Sequence, residues 1–442
     1  MAKSPLDNSI RSVKWQVQRI NINLTQVYHI LFYLLMLSIF FLPALRISDY
    51  LPAIRLEDII VIVLFFLNYF QYKVPKHTYL VLLTIYLCVI TLSIIFNESL
   101  LYTSNIFEVF KVIKMIILYM FFSFYFRSSR NNFSKLNIFL QCSFWLLVII
   151  NLIQYLDLFH FNQLLGSLYA PPEQLDVFML QISTHSPTKR MLGLMGNPNC
   201  NAVLFLFFTC YYLARYDYRK RNIISLITSV VLVLLTQSRT GFISLIFIFI
   251  IFMLKDMNLR KIGTGLIILS FLALVITIVS PEYISALWDR PLKKITSLTI
   301  RFDIWFVLIE MVKDRWLIGM GPFKEFFYAN TLHADNEYVL NYFRYGICGL
   351  VLYSILLLYP VVSVFKRRFK LNQYTFFGGM FFMVLLINAL TNAPMSEPRL
   401  QVLAILCASL IFIERCHQKL SDSGFVNSNI MSTTMKEKPY MG

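Results

Sequence analysis

The sequence is short of charge. Only 14% of its 442 residues are Asp, Glu, Lys or Arg, where a soluble domain carries about a quarter. With 58% hydrophobic residues and a mean hydropathy of +0.65, that shortage excludes a water-soluble globule. Cysteine pattern is also missing. The seven cysteines, an odd number, fall in or beside apolar runs, with no CxxC pair and no Cys/His spacing suited to a metal, so neither a disulfide framework nor a metal site is expected. The first 25 residues lack an apolar stretch ending in a small-residue cleavage site. No removable signal peptide is therefore expected, and the first apolar run stays as a helix. Acids are fewer than bases, 23 against 40. The resulting charge of +17 would suit nucleic acid, but the bases sit in short clusters between apolar runs, as cytoplasmic loops do, and no nucleic-acid partner is expected.

What is present is a series of apolar segments, near 27–45, 56–72, 78–96, 106–126, 136–158, 199–215, 222–237, 240–254, 262–280, 337–360, 374–392 and 399–415. Most have the roughly 17 to 25 residues that a helix needs to cross hydrocarbon, and backbone satisfaction in lipid favours helices over an open sheet. The fold expected is an all-α polytopic membrane protein of twelve spans, a single membrane domain over 1–420 with a flexible cytoplasmic tail at 421–442. Every second connection is basic: Lys73 and Lys76; Arg127, Arg130 and Lys135; Arg215, Arg219, Lys220 and Arg221; Lys255, Arg260 and Lys261; Lys366, Arg367, Arg368 and Lys370. That alternation places both termini in the cytoplasm. Two long loops, about 159–198 and 281–336, then lie outside, and Ile300 to Trp316 is expected as an amphipathic interfacial helix. Most of the 41 Phe and 25 Tyr are expected to face lipid or the interface.

Charges outside the basic loops are the candidates for chemistry. Arg239, in TQSRTG, and Arg301, in IRFDIW, lie at the outer face on this topology. A guanidinium there can grip phosphate bidentately or be a structural ion pair. His333, Asp335, Asn336 and Glu337 (HADNE) precede the tenth span, with Arg344 about two turns into it. They can supply a general base, or Asp335 or Asn336 can simply cap the helix. Lys111 and Lys114 share a face of the fourth span with Glu108, as lipid-phosphate ligands or as a structural pair with Glu108. His185, Lys189 and Arg190 can meet an anionic or sugar substrate, whereas His29, His77, His160 and His417 read as structural.

The order of four motifs carries a resemblance. GLMGNPNCNAVLF opens one span, LLTQSRTGFISL forms the next outer turn, and IRFDIWFVLIEMVKDRWLIGMGPFKEF and HADNEYVLNYFRYGICGLVLY follow. Across about 190–360 the chain resembles the bacterial O-antigen polymerase and O-antigen ligase family. The resemblance implies metal-independent, inverting glycosyl transfer, without a cofactor, at the outer face of the inner membrane, from an undecaprenyl-pyrophosphate-linked glycan to a hydroxyl. On it, Arg239 and Arg301 take the pyrophosphate positions, Asp335 or His333 is the base, and Asn197 and Asn199 of the first motif join the substrate site. Ligases of the family usually carry His-Asn where this chain has Asp335-Asn336, with Gly346 in register. That departure favours a polymerase, with a chain-length regulator as protein partner. The ligase is the alternative; a lipid-linked oligosaccharide flippase is another, disfavoured because residues 1–220 show no repeat in 221–442.

Overall fold

A computed structural model describes residues 26–44, 54–69, 77–97, 103–169, 189–216, 220–256, 263, 299, 301–323, 327, 334–366 and 372–422, with side chains to 413 in the last stretch. Thirteen α-helices are found among them: α1 (Gln26–Phe41), α2 (Leu56–Tyr69), α3 (Thr78–Phe96), α4 (Thr103–Ser128), α5 (Asn131–Leu156), α6 (Phe161–Tyr169), α7 (Pro198–Ala214), α8 (Lys220–Leu235), α9 (Arg239–Asp256), α10 (301–311), α11 (Glu337–Phe365), α12 (Gln373–Ala389) and α13 (Pro398–Asp422). Eleven of the twelve expected segments coincide with helices; the ninth, 262–280, lies outside the described residues apart from Gly263. Four helices, α3, α4, α5 and α11, are long and apolar enough to cross a membrane.

Local sequence explains where several helices start. Asn197 caps α7, its side chain accepting from the Asn199 and Cys200 N–H groups, and Pro198 occupies a first-turn position that has no amide to lose. Asn336 caps α11 in the same way, accepting from Tyr338 N at 2.9 Å and Val339 N at 3.1 Å. Of the two cap candidates in the sequence, Asn336 has the role.

The centre is built from α7, α12 and α13, which are buried on all sides over much of their length, as a helix inside a bundle must be. Around them α3, α4 and α11 form one wall and α8 and α9 another. The aromatics depart from expectation: the largest fully buried side chains are Tyr and Phe, including Tyr119, Tyr125, Tyr211, Phe32 and Phe207. Phe32 stacks on Tyr125 with centroids 4.4 Å apart, and Phe207 meets Phe377 and Phe381 edge-on. Lipid tails are as apolar as a core position, so hydropathy does not say which side of a span faces inward.

Connections segregate into two ends. At one end Asn97 Nδ2 donates to Gly319 O at 3.0 Å, Arg190 Nε to Thr236 O at 3.0 Å, Asn199 Nδ2 to Asn392 Oδ1 at 2.9 Å, and Arg399 Nη2 to Leu42 O at 2.6 Å. At the other, His29 meets Lys135 at 3.0 Å and Asn137 Nδ2 donates to Tyr374 OH at 2.6 Å. The second end carries the basic connections, such as Arg127, Arg130 and Arg215. The first gathers the residues of chemical interest.

Candidate functional site

The strand of chain before α7 runs along the turn between α8 and α9. Met191 N donates to Leu235 O at 3.1 Å, and Gln237, left-handed at φ 53°, sends its Nε2 to Lys189 O at 2.8 Å. Arg190 anchors the pairing: Nε donates to Thr236 O, and Nη2 to Asn199 Oδ1 at 3.1 Å and Gln237 O at 3.4 Å. Lys189 stands over the Tyr155 ring at 5.0 Å. Burial holds its ammonium below the usual lysine range, against the opposing pull of the Asp157 carboxylate. Arg239 starts α9 two residues past Gln237 and is exposed. Lys189, Arg190 and Asn199 thus come together against the turn that leads into Arg239. Asn197 lies beside them, its side-chain oxygen committed to the helix cap.

A second group forms around the start of α11. Arg301 Nη2 pairs with Asp335 Oδ2 at 2.9 Å, both side chains more than a third exposed. His333 lies outside the described residues. Next in the chain, Glu337 is 3% exposed. Its carboxylate accepts from Tyr353 OH at 2.6 Å, Met395 N at 3.0 Å and Ser396 Oγ at 3.3 Å. These three bonds tie the start of α11 to its descending half and to the turn before α13, at a residue the sequence placed among the substrate contacts. Lys111 and Lys114 part company: the first pairs with Glu108 at 2.9 Å, the second with Asp58 of α2 at 2.7 Å. The first bond is the pair with Glu108 that the sequence offered, and the second has a partner on another helix that it did not. Arg344 stacks over Phe327 at 5.6 Å, and its Nε is buried without a hydrogen-bond partner.

Tyr353 reaches Glu337 only because α11 is not one straight span. Sixteen residues of continuous helix would separate the two by about 24 Å. Instead Gly346 adopts φ 63°, ψ −162°, and the chain folds back so that Asn341 O comes within 3.3 Å of where a Cβ on Gly349 would stand. The segment 316–321 enters the break. Met320 N donates to Phe343 O at 2.9 Å and Gly321 N to Arg344 O at 2.8 Å, while Trp316 O accepts from Ile347 N at 2.8 Å and Leu317 O from Cys348 N at 3.4 Å. The backbone groups orphaned by the interruption are satisfied in this way, a requirement at membrane depth. Gly319 and Gly346 touch backbone to backbone: a Cβ on Gly319 would lie 2.5 Å from Tyr345 N. The tenth expected span is therefore a folded-back half-helix followed by a 19-residue descent, 347–365. The helix expected over 300–316 is found as α10, whose Phe302, Phe306 and Val307 are exposed, while Leu308 and the following Val312 pack on Phe343 and Leu340.

Sequence reading passed over the turn between α12 and α13. Thr391 bonds Thr240, Asn392 bonds Asn199, Met395 and Ser396 bond Glu337, and Glu397 pairs with Arg55 at 3.1 Å. This one turn touches both groups. Arg399 follows, 2% exposed, donating Nη1 to Leu194 O at 2.7 Å and Nη2 to Leu42 O. The one available signal was the string TNAPMSEPR, rich in polar residues between two apolar runs.

Arg239, the Arg301–Asp335 pair, Arg344 and the interruption of α11 at Gly346 all lie within one continuous sequence match. Residues 224–354 match the O-antigen ligase family model. This match supports the O-antigen polymerase/ligase family that the motif order resembles, and with it a glycosyl-transfer activity in surface polysaccharide synthesis. It spans under a third of the chain, and no curated protein matches the sequence. The matched segment contains Arg239, Arg301 and Asp335, while Lys189, Arg190 and the 390–397 turn come from beyond it and belong to the same end.

Proposed function

We propose that this chain is an O-antigen polymerase of the bacterial inner membrane, joining undecaprenyl-pyrophosphate-linked repeat units at the outer face. The end bearing Arg239 and Arg301 then faces the periplasm, the basic loops and both termini face the cytoplasm, and a chain-length regulator is the expected protein partner. In the reaction an acceptor hydroxyl oxygen attacks the anomeric carbon of the growing chain. The bond from that carbon to the diphosphate breaks with inversion, and the hydroxyl proton passes to Asp335 or His333. The diphosphate leaves with the electron pair. Positive charge must be ready where that negative charge grows, and Arg239 with Arg190 and Lys189, together with Arg301, provides it.

The observation that carries this reading is the 2.9 Å Arg301–Asp335 pair. The pair sets a carboxylate within reach of a guanidinium at one partly exposed place, so a proton acceptor for the hydroxyl and a cation for the leaving diphosphate stand side by side. Asp335→Asn is expected to lower transfer at least a hundredfold with the protein still inserted, and His333→Gln to lower it far less. The reverse ranking would move the base to His333. The ligase reading has its own support, the description of the matched family. Deleting the gene separates the two on a lipopolysaccharide gel. Loss of a polymerase leaves core bearing a single repeat unit; loss of a ligase leaves bare core with lipid-linked polymer accumulating. A lipid-linked repeat unit trapped inside would instead identify a flippase.

A further inference from the structure

Where α3 ends, an open groove of about 360 Å³ lies between Phe96 and Asn97 on one side and the segment 314–319 on the other, a volume in the range of small-molecule sites. Its two walls are fixed to each other. Asn97 Nδ2 donates to Ser93 O at 2.7 Å and to Gly319 O at 3.0 Å, and its side-chain oxygen accepts from Arg315 Nη1. Three large apolar side chains of the groove face outward, Phe96 at 65%, Trp316 at 56% and Leu317 at 47% exposure. Such a set marks a contact with lipid or protein. A tryptophan beside an arginine at the end of a span is the pattern of the membrane interface, which puts the groove at the depth of lipid headgroups. Two exposed charges of opposite sign line it, Asp314 and Arg315. Arg315 gives a donor to Asn97 and has others in its fork to offer a phosphate. A purely anionic headgroup would also meet the Asp314 carboxylate. A headgroup that carries a phosphate and a primary ammonium matches both.

We propose that this groove binds one zwitterionic aminophospholipid of the leaflet at this end, its phosphate on Arg315, its ammonium on Asp314 and its acyl chains against Phe96, Trp316 and Leu317. The proposal needs a bilayer around the bundle and does not depend on the transferase reading. It gives the segment laced through α11 a lipid contact on its outer side, since Gly319 is held both by Asn97 and by the interruption.

The test uses the full chain in nanodiscs of phosphatidylethanolamine, phosphatidylglycerol and phosphatidylcholine in equal parts, with the lipids retained after release counted by native mass spectrometry. Phosphatidylethanolamine is expected to be retained about fivefold over each of the others. Asp314→Asn should erase that preference while lipid still binds, and Arg315→Ala should lower retention of all three. Lys313→Ala serves as the control, because Lys313 pairs with Glu310 and is not part of the groove wall; it should change nothing. All four side chains named are exposed, so Tm is expected to hold in each variant. Equal retention of the three lipids by the unaltered chain would overturn the proposal. So would a preference that survives Asp314→Asn, or a loss in Lys313→Ala equal to that in Arg315→Ala, which would make the effect one of diffuse basic charge. Soluble O-phosphoethanolamine is expected not to displace the bound lipid; displacement at millimolar concentration would make this a site for a free phosphoamine and overturn the lipid assignment.

Discussion

The two ends of the bundle are built on different terms. Most of the described acids, from Glu57, Asp58 and Glu108 to Asp335, Glu337 and Glu397, lie at or near the end of the candidate site, whereas Asp256, Glu414 and Asp422 lie at the far ends of α9 and α13. At the site end charges are buried, backbone is interrupted and loops distant in sequence are bonded together. The opposite end is dominated by bases and modest contacts, such as His29 with Tyr125 at 3.0 Å. Positive charge that only sets orientation needs no partner, because it sits in water. Charge drawn into an apolar bundle must be paired or solvated by protein, and it is kept where it has work to do. The contrast therefore picks out the same end as the motifs do.

Substitutions can break or sharpen that contrast. The largest effect is expected at the interruption. Gly346→Val forces a side chain into the Leu317 backbone at a positive φ, and should cost about 3 kcal/mol or more, seen as loss of the monodisperse peak in fluorescence-detected size exclusion. A well-folded variant would mean that the fold-back is dispensable. Next come Arg239→Ala and Arg301→Ala, each expected to reduce transfer by about a hundredfold to a thousandfold with little change in Tm, since both side chains are exposed enough to be lost without a cavity. Long chains on a gel from either variant would take that arginine out of the mechanism. Glu337→Ala strands the Tyr353 hydroxyl and the Met395 amide and should lower stability by about 2 kcal/mol. The smallest effect belongs to the basic end, where Lys135→Ala is expected to shift stability by about 0.5 kcal/mol or less and leave chain length as it was. If Lys135→Ala matched Glu337→Ala, the two ends would not differ as described.

Much of the fold was legible because a bilayer leaves few choices: apolar runs of sufficient length become helices, and eleven of them do. The caps Asn197 and Asn336 were legible from residue type and place, and the motif residues Arg301 and Asp335 proved to be partners. Gly346 was not. Hydropathy runs unbroken through FRYGICGLVLY, and a residue without a side chain leaves no mark on it. The clue lay in a second string, WLIGMG, whose glycines matter only once the two are seen in contact. The bond between Arg55 and Glu397, 342 residues apart, has no spacing rule to announce it. Nor does the pairing of Lys114 with Asp58, since a lysine at helical spacing from Glu108 has a nearer partner on paper.

The lacing of 316–321 through the interruption of α11 bears on how such enzymes can be recombined. The excursion that carries Arg301 is sewn into the bundle by four main-chain bonds, so its register against the half-helix is fixed to the residue. Grafting 301–323 from a relative should fail unless 337–349 travels with it, and the pair should be exchanged as one cassette.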